Sequence, residues 1–432
     1  MREDLLQFIW AHGYFNRSSL ATEDGRTISV LDPGQLNRHQ GPDFLDARIR
    51  IDGIEWAGNI EVHVLTSDWR RHGHDPDPRY QRLILHVVWK HDGAAPLEIP
   101  VLELYGKVPL SLLQTFTGWM NQPELLPCAD SLGSSISQLP AAWRDTLLDQ
   151  RLQAKATQWI RELGQLKGHW DELCWRKLAR NFGHRVNADA FELVAKSIPL
   201  RIMHRHAGQI HQLEAMLLGQ SGLLWGNWED PFPVMLQKEF AYLKKLHALK
   251  SPAVLVHFLR MRPGNFPTVR MAQLAMLMHT TARLSESILR AADIRALEAL
   301  FDITANDFWH YHYRFGKSSV FAPKRLGAGM IRNILINTAV PFVYAYGQWS
   351  GNAGLCARAK GWLGDLPAEK DHALQVFRDA GLQVNSSADS QALHGLYREY
   401  CTQKRCLSCA IGEMVIDRTV RSATSAGGIP AS

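Results

Sequence analysis

Glu61 and His63 project side by side from one predicted strand, where a carboxylate and an imidazole can share a metal ion or pass a proton. Side chains alternate along a strand. Over residues 54–65, Ile54, Trp56, Ile60, Val62 and Val64 fall on one face and Glu55, Asn59, Glu61 and His63 on the other. Neighbours on one face stand about 7 Å apart. Upstream, Gly41-Pro42-Asp43 opens the partner strand across Asp52-Gly53, a strong hairpin turn. An acidic group at the start of one strand can lie near a glutamate on its hairpin neighbour. The polar stretch that follows contains His72, His74, Asp75 and Asp77. With His63, His74 could complete a mixed nitrogen and oxygen site suited to Zn²⁺ or Mn²⁺. The bland alternatives are a half-exposed hairpin whose Glu and His face solvent, and a polar turn built on Asp and Pro. His72 fits the turn better than a ligand. His86, among apolar residues, reads as a hydrogen-bonded core histidine.

A second set is made of sulfur. Cys401, Cys406 and Cys409 fall within nine residues, and the C-x2-C half has the bite of zinc and iron–sulfur sites. Cys128 is the candidate fourth ligand. The alternative is three unligated thiols at a helix end.

Two segments mix positive charge with aromatics: Arg260 to Arg270, and Tyr311 to Arg325. Arg262, Arg270, Arg314 and Lys317 are candidate contacts to a nucleic acid backbone. Ordered loops packing helices would use the same residues. The net charge of +6 is compatible with an anionic partner. Phosphate-loop, dinucleotide, zincin and nucleophile-elbow motifs are absent, which argues against those enzyme classes.

The elements that must position these residues differ along the chain. An amphipathic helix at 2–12 precedes about five short strands between Thr27 and Tyr105. After Pro109 the pattern is helical, marked by Leu147, Leu152, Ala156 and Trp159, by Phe191 and Val194, and by Leu274, Leu277 and Met278. The length, 432 residues, suggests two or three domains. With 46% hydrophobic and 21% charged residues the chain is not mainly disordered. No run reaches the ~18–20 apolar residues of a membrane helix, and the N-terminus lacks a signal-peptide pattern. A soluble, cytoplasmic protein is expected. The expected fold is α+β: a mixed sheet with flanking helices at 1–110, an α-helical body at 111–420 and a disordered tail at 421–432.

Pro42-Asp43 followed, after 17 intervening residues, by Glu61-Val62-His63 resembles the motif of the PD-(D/E)XK nuclease superfamily. The resemblance implies that Asp43 and Glu61 ligate Mg²⁺ or Mn²⁺, that His63 takes the place of the usual Lys, and that Glu3 is an accessory carboxylate. His63 departs from the pattern, and the 66–80 stretch leaves little room for the usual intervening helix. Some members carry an iron–sulfur staple of one upstream Cys and three near the C-terminus, which the cysteines here resemble at different spacing. Along nearly all its length the chain also resembles an uncharacterised bacterial family, through blocks such as PGQLNRHQGPDFLDARI, WAGNIEVHVLTSDW, INTAVPFVYAYG and CLSCAIG. The function expected is metal-dependent phosphodiester hydrolysis in nucleic acid. The alternatives are a non-catalytic nucleic-acid-binding or scaffold protein, and a metal-dependent hydrolase acting on another substrate.

Overall fold

Leu5, Leu6, Phe8, Ile9 and Trp10 give the first segment one buried stripe, and it forms helix α1 (Glu3–His12). Glu3 and Asp4 occupy its first turn, where acidic groups suit the helix dipole, and Gly13 closes it at φ 65°. The structure, a computed structural model, describes residues 1–72, 77–93, 99–122, 126–132, 137 and 139–423. His74 and nearly all of the expected tail lie outside the described residues.

Alternating sequence and turn residues then produce β1 (Ile28–Asp32), β2 (Gln35–Leu36), β3 (Phe44–Ile51), β4 (Ile54–Leu65), β5 (Leu83–Lys90) and β6 (Val101–Glu103). They form one sheet in the order β1-β3-β4-β5-β6, with β2 also paired to β3. Pairing is antiparallel from β1 through β3 to β4, and parallel from β4 through β5 to β6. The crossover from β4 to β5 includes the four-residue helix α2 (Asp68–Arg71) and a turn at Pro78–Tyr80.

Strand β4 does not keep one wet face. It is exposed over residues 54–57 and buried on both faces over residues 58–63. Its first half pairs only with β3, whereas from Asn59 it lies between β3 and β5, and α1 packs on it. Ile54 and Trp56 of the supposed apolar face are therefore exposed, while Glu61 and His63 are 4% and 1% exposed. Gly58 permits the approach of β5: a Cβ there would stand 2.4 Å from the Arg82 carbonyl oxygen and 2.5 Å from Ile84 Cγ2.

The chain divides into two compact units, and not at residue 110. The first holds Met1–Trp143, His372–Gln383 and the chain from Leu396. The reason is physical: amphipathic helices from both ends of the chain complete the sheet unit, so helical texture marks no boundary. Helix α3 (Leu110–Asn121) and the short α4 (Ala129–Leu132) belong to it, and the C-terminal helix Ala410–Ala423 packs on α3.

The second unit is Arg144–Asp371 with Val384–Gly395. It contains most of α5 (Ala141–Gln165), then α6 (Trp170–Phe182) and α7 (His184–Ser197), around a core that includes Phe182, Phe191, Phe301, Trp309 and Phe342. A two-stranded hairpin, β7 (His312–Arg314) with β8 (Lys317–Ser318), interrupts the helices. Among the described residues no helix is long and apolar enough to cross a membrane.

Lys155 of α5 lies in a cavity of about 990 Å³ with Lys177, Arg180 and Arg185, and its ammonium donates to the Asn337 carbonyl at 3.2 Å. Burial, then Arg151, lower its pKa to about 7. The folded pKa is depressed below the unfolded 10.5, so the charged form is penalised. That penalty is full below pH 7 and fades as pH rises towards 10.5. Lys155→Met should therefore melt higher than wild type at pH 6, by about 1 kcal/mol or more in stability, with the gap closing by pH 10. Thermal melts across that range check the sign.

Candidate metal centre

The antiparallel hairpin brings Asp43 and Glu61 together through the backbone. The Asp43 N–H donates to Glu61 Oε2 at 3.1 Å, and Asp43 Oδ2 accepts the Val62 N–H at 3.1 Å. Helix α1 supplies a third contact, Gln7 Nε2 donating to Asp43 Oδ1 at 3.0 Å. Both carboxyls are pushed above the usual carboxylate range. For Asp43 the largest cause is burial, with Glu3 adding to it; for Glu61 it is burial and then Asp43. Glu61 moves further. Two carboxylates held this close in a dry place do not both keep their charge without a cation.

His63 is the hub. Its Nε2 stands 3.4 Å from Glu61 Oε1 and 3.1 Å from His72 Nδ1, and its Nδ1 stands 2.9 Å from His86 Nε2. If His63 Nδ1–H donates to His86, the Nε2 lone pair faces the carboxylates, the tautomer a metal ligand needs. Trp69 closes one side, edge-on to Tyr80 at 5.4 Å between centroids and to His63 at 6.5 Å. Tyr80 feels the acidic pair: burial, then Glu61 and Asp43, raise its pKa.

Among the described residues, one set of three or more donors lies with its ligand atoms all within 4.8 Å: Glu3, His63 and His72. The expected pair Asp43 and Glu61 adjoins this set rather than forming it. Glu3, one helical turn from Gln7 on α1, belongs to that set. His72 belongs to the donors and not to a bland turn, because α2 carries it back to β4. His86 is buried, as a core histidine should be, and its partner is the hub itself. Gln7 and His72 were the residues least visible in sequence; the Glu3–Gln7 spacing was the available signal.

The four cysteines also meet within the first unit. Cys128, Cys401, Cys406 and Cys409 are buried, at 8–9% exposure each. Burial and the neighbouring thiols of Cys409 and Cys406 push Cys128 up to about 12. Burial and the other three thiols push Cys401 up as well.

The basic candidates lie in the second unit and part company. Arg262, Arg314 and Lys317 are exposed. Arg270 is not a surface cation: it is 7% exposed and bonded to Gln273 Oε1 at 2.8 Å and Asn265 Oδ1 at 2.5 Å. The helix Pro267–Thr280 is buried almost all round, and Arg270 goes in with it. Thr268 Oγ1 donates to the Tyr313 carbonyl at 2.5 Å, tying this helix to the β7–β8 hairpin.

Fold and site together define a mixed α/β protein with an acid–histidine cluster gathered on its sheet about buried His63. The chain belongs to the family described as "Protein of unknown function (DUF2851)", which matches residues 3–372. No curated protein and no solved structure matches it.

Proposed function

We propose that the protein is a metal-dependent nuclease, with a divalent cation held by Glu3, His63 and His72 beside Asp43 and Glu61. The observation that carries this reading is the convergence of the other four side chains around buried His63. The order helix, acidic antiparallel hairpin, crossover, parallel strand supports a PD-(D/E)XK-like core, although α2 has only four residues where that superfamily has a longer helix. Two imidazoles among carboxylates suit Mn²⁺ or Zn²⁺ better than Mg²⁺, which prefers oxygen. Such an ion supplies Lewis acidity, activating water and offsetting charge on a phosphate.

The chain's own groups do the rest. Glu61 Oε1, 3.4 Å from His63 Nε2, would accept a proton from the attacking water once a bound cation holds the carboxyl ionised. Gln7 and the Val62 N–H hold Asp43 in place. His86 sets the tautomer of His63. Trp69 and Tyr80 keep bulk water from one side. The test is cleavage of single- and double-stranded DNA and RNA with Mg²⁺, Mn²⁺ and Zn²⁺ in turn. Cleavage with Mn²⁺ that chelation stops is the expected result; none with any metal would overturn the reading.

Arg262, Arg314 and Lys317 are the proposed contacts to the substrate backbone. Each neutralised phosphate contributes a log–log salt slope of about −0.9 on duplex DNA. Arg262→Ala and Arg314→Ala should each flatten the measured slope by about one unit. Arg270→Ala should leave it unchanged and lower stability instead. Equal slopes for wild type and both surface variants would remove these residues from the interface.

A further inference from the structure

We infer that the cavity lined by α5, α6 and α7 binds a small phosphorylated molecule. It lies within the second unit, whereas the acid–histidine cluster belongs to the first, so the inference goes beyond the nuclease reading. Helix spacing builds the lining. Lys155, Trp159 and Glu162 share one stripe of α5, and Lys177 and Arg180 one side of α6. Helix α7 follows α6 after a tight corner at Gly183, where a Cβ would stand 2.4 Å from the Asn187 carbonyl oxygen. At that corner His184 is held at φ 51°, in the left-handed region that few side chains adopt, and it lines the cavity with Arg185.

Another wall is the π-helical turn Leu335–Ala339, through Asn337 and Thr338. Asn181 Nδ2 donates to Thr338 Oγ1 at 2.8 Å and to the Asn333 carbonyl at 3.3 Å, which fixes the turn against α6. Single π-turns within helices are frequent at functional sites.

Charge selects an anion. Six cations line the cavity: Lys155, Arg176, Lys177, Arg180, Arg185 and Lys196. Four acids answer them. Lys177 meets Glu162 at 2.5 Å, Arg176 meets Glu172 at 2.9 Å, Lys196 meets Glu192 at 2.9 Å, and Arg180 meets Glu192 at 2.8 Å and also Asp189. The excess of six over four rests on Lys155 and Arg185. Lys155 meets a neutral acceptor, the Asn337 carbonyl at 3.2 Å, and Arg185 is exposed. Beyond the lining, Arg151 and Glu369 act on Lys155 in opposite senses. Such an excess fits one phosphate monoester, which carries about −1.5 to −2 at pH 7. Guanidinium and ammonium groups match its oxygens, the first as a fork and the second as a point charge. The cavity, about 990 Å³, stands at the upper end of the ~300–1,000 Å³ of small-molecule sites and is far larger than a phosphate. Trp159, Leu166 and Ala188 give the organic part of the ligand an apolar wall. A bound dianion also offsets the penalty that burial places on the Lys155 ammonium.

The test titrates the full chain with inorganic phosphate, glucose 6-phosphate and adenosine monophosphate, with glucose and adenosine as controls, by calorimetry and thermal melts. At least one phosphorylated probe should bind with Kd below about 1 mM, and at about 100 times that Kd it should raise the melting midpoint by about 5 °C. The controls should not bind. Lys155→Met and Arg185→Ala should each weaken binding about tenfold or more. Lys155→Met is expected to melt higher than wild type at pH 6, so binding lost in it is not folding lost; should it fail to fold, Arg185→Ala decides, since Arg185 is exposed. No binding of any phosphorylated probe would overturn the inference. Equal affinity in wild type and both variants would overturn it too, by placing the phosphate elsewhere. So would binding of DNA or RNA oligonucleotides alone, weakened by the same substitutions, which would assign the cavity to nucleic acid. None of these readouts depends on cleavage.

Discussion

Glu61→Gln should lower metal-dependent cleavage by a factor of about 10³ while the protein folds as before. The amide keeps the shape of the side chain and can still accept the Asp43 N–H, the contact seen at 3.1 Å. It cannot take a proton from water, and it withdraws charge from a cation next to His63. Losing a general base alone costs about 10²–10⁴, and weakening a metal site adds to that. Stability should not fall, since burial and Asp43 already keep the Glu61 carboxyl uncharged in the metal-free protein, and the amide is uncharged as well. Unchanged cleavage in Glu61→Gln, at matched metal, would contradict the assignment. So would an equal loss of cleavage and of folded protein, which circular dichroism would reveal.

Gly58→Ala should destabilise the sheet unit by about 3 kcal/mol, at the upper end of what overpacking costs. The new methyl meets the Arg82 carbonyl, part of the backbone, and the Asn59 N–H bond to that same carbonyl at 2.8 Å marks the start of β4–β5 pairing. No rotamer change relieves a clash with backbone. The effect reaches the metal site as well, because β5 carries His86, the partner of His63 Nδ1. Denaturant titration would measure the loss. A change below about 0.5 kcal/mol would mean that β5 sits further from β4 than described.

Glu61 shows where sequence was informative, and Gly58 where a signal went unread. A glycine inside an alternating strand signals a bulge or a close approach, and Gly58 is the latter. The hairpin, the five strands and α1 followed from turn residues and from periods of 2 and 3.6. The side of β4 that bears Glu61 and His63 followed from the same alternation. Their burial did not, because it comes from β5 and α1, and a strand's own sequence does not say what will cover it. His72 read as a turn residue for a related reason: it sits in a polar stretch, and only the return of α2 onto β4 makes it a donor. Arg270 misled in the opposite direction. Its basic, aromatic neighbourhood suggests a surface, while Val269, Met271, Ala272, Leu274 and Ala275 around it form a helix with no wet face.

The composition of the sheet unit from both ends of the chain has a consequence for synthesis. Strands β1 to β6 leave the ribosome early, yet the segment that begins at Leu396 is part of the same compact body. At ~5–20 residues per second, the ~250 residues between Trp143 and Leu396 take roughly 13–50 s to make. Over that interval the second unit can fold on the nascent chain while α3 waits for the C-terminal helix that packs on it. The protein is thus expected to need chaperone shielding at its beginning rather than its middle, and a stalled chain lacking residues from Leu396 onward should aggregate through the face of α3 that the C-terminal helix covers.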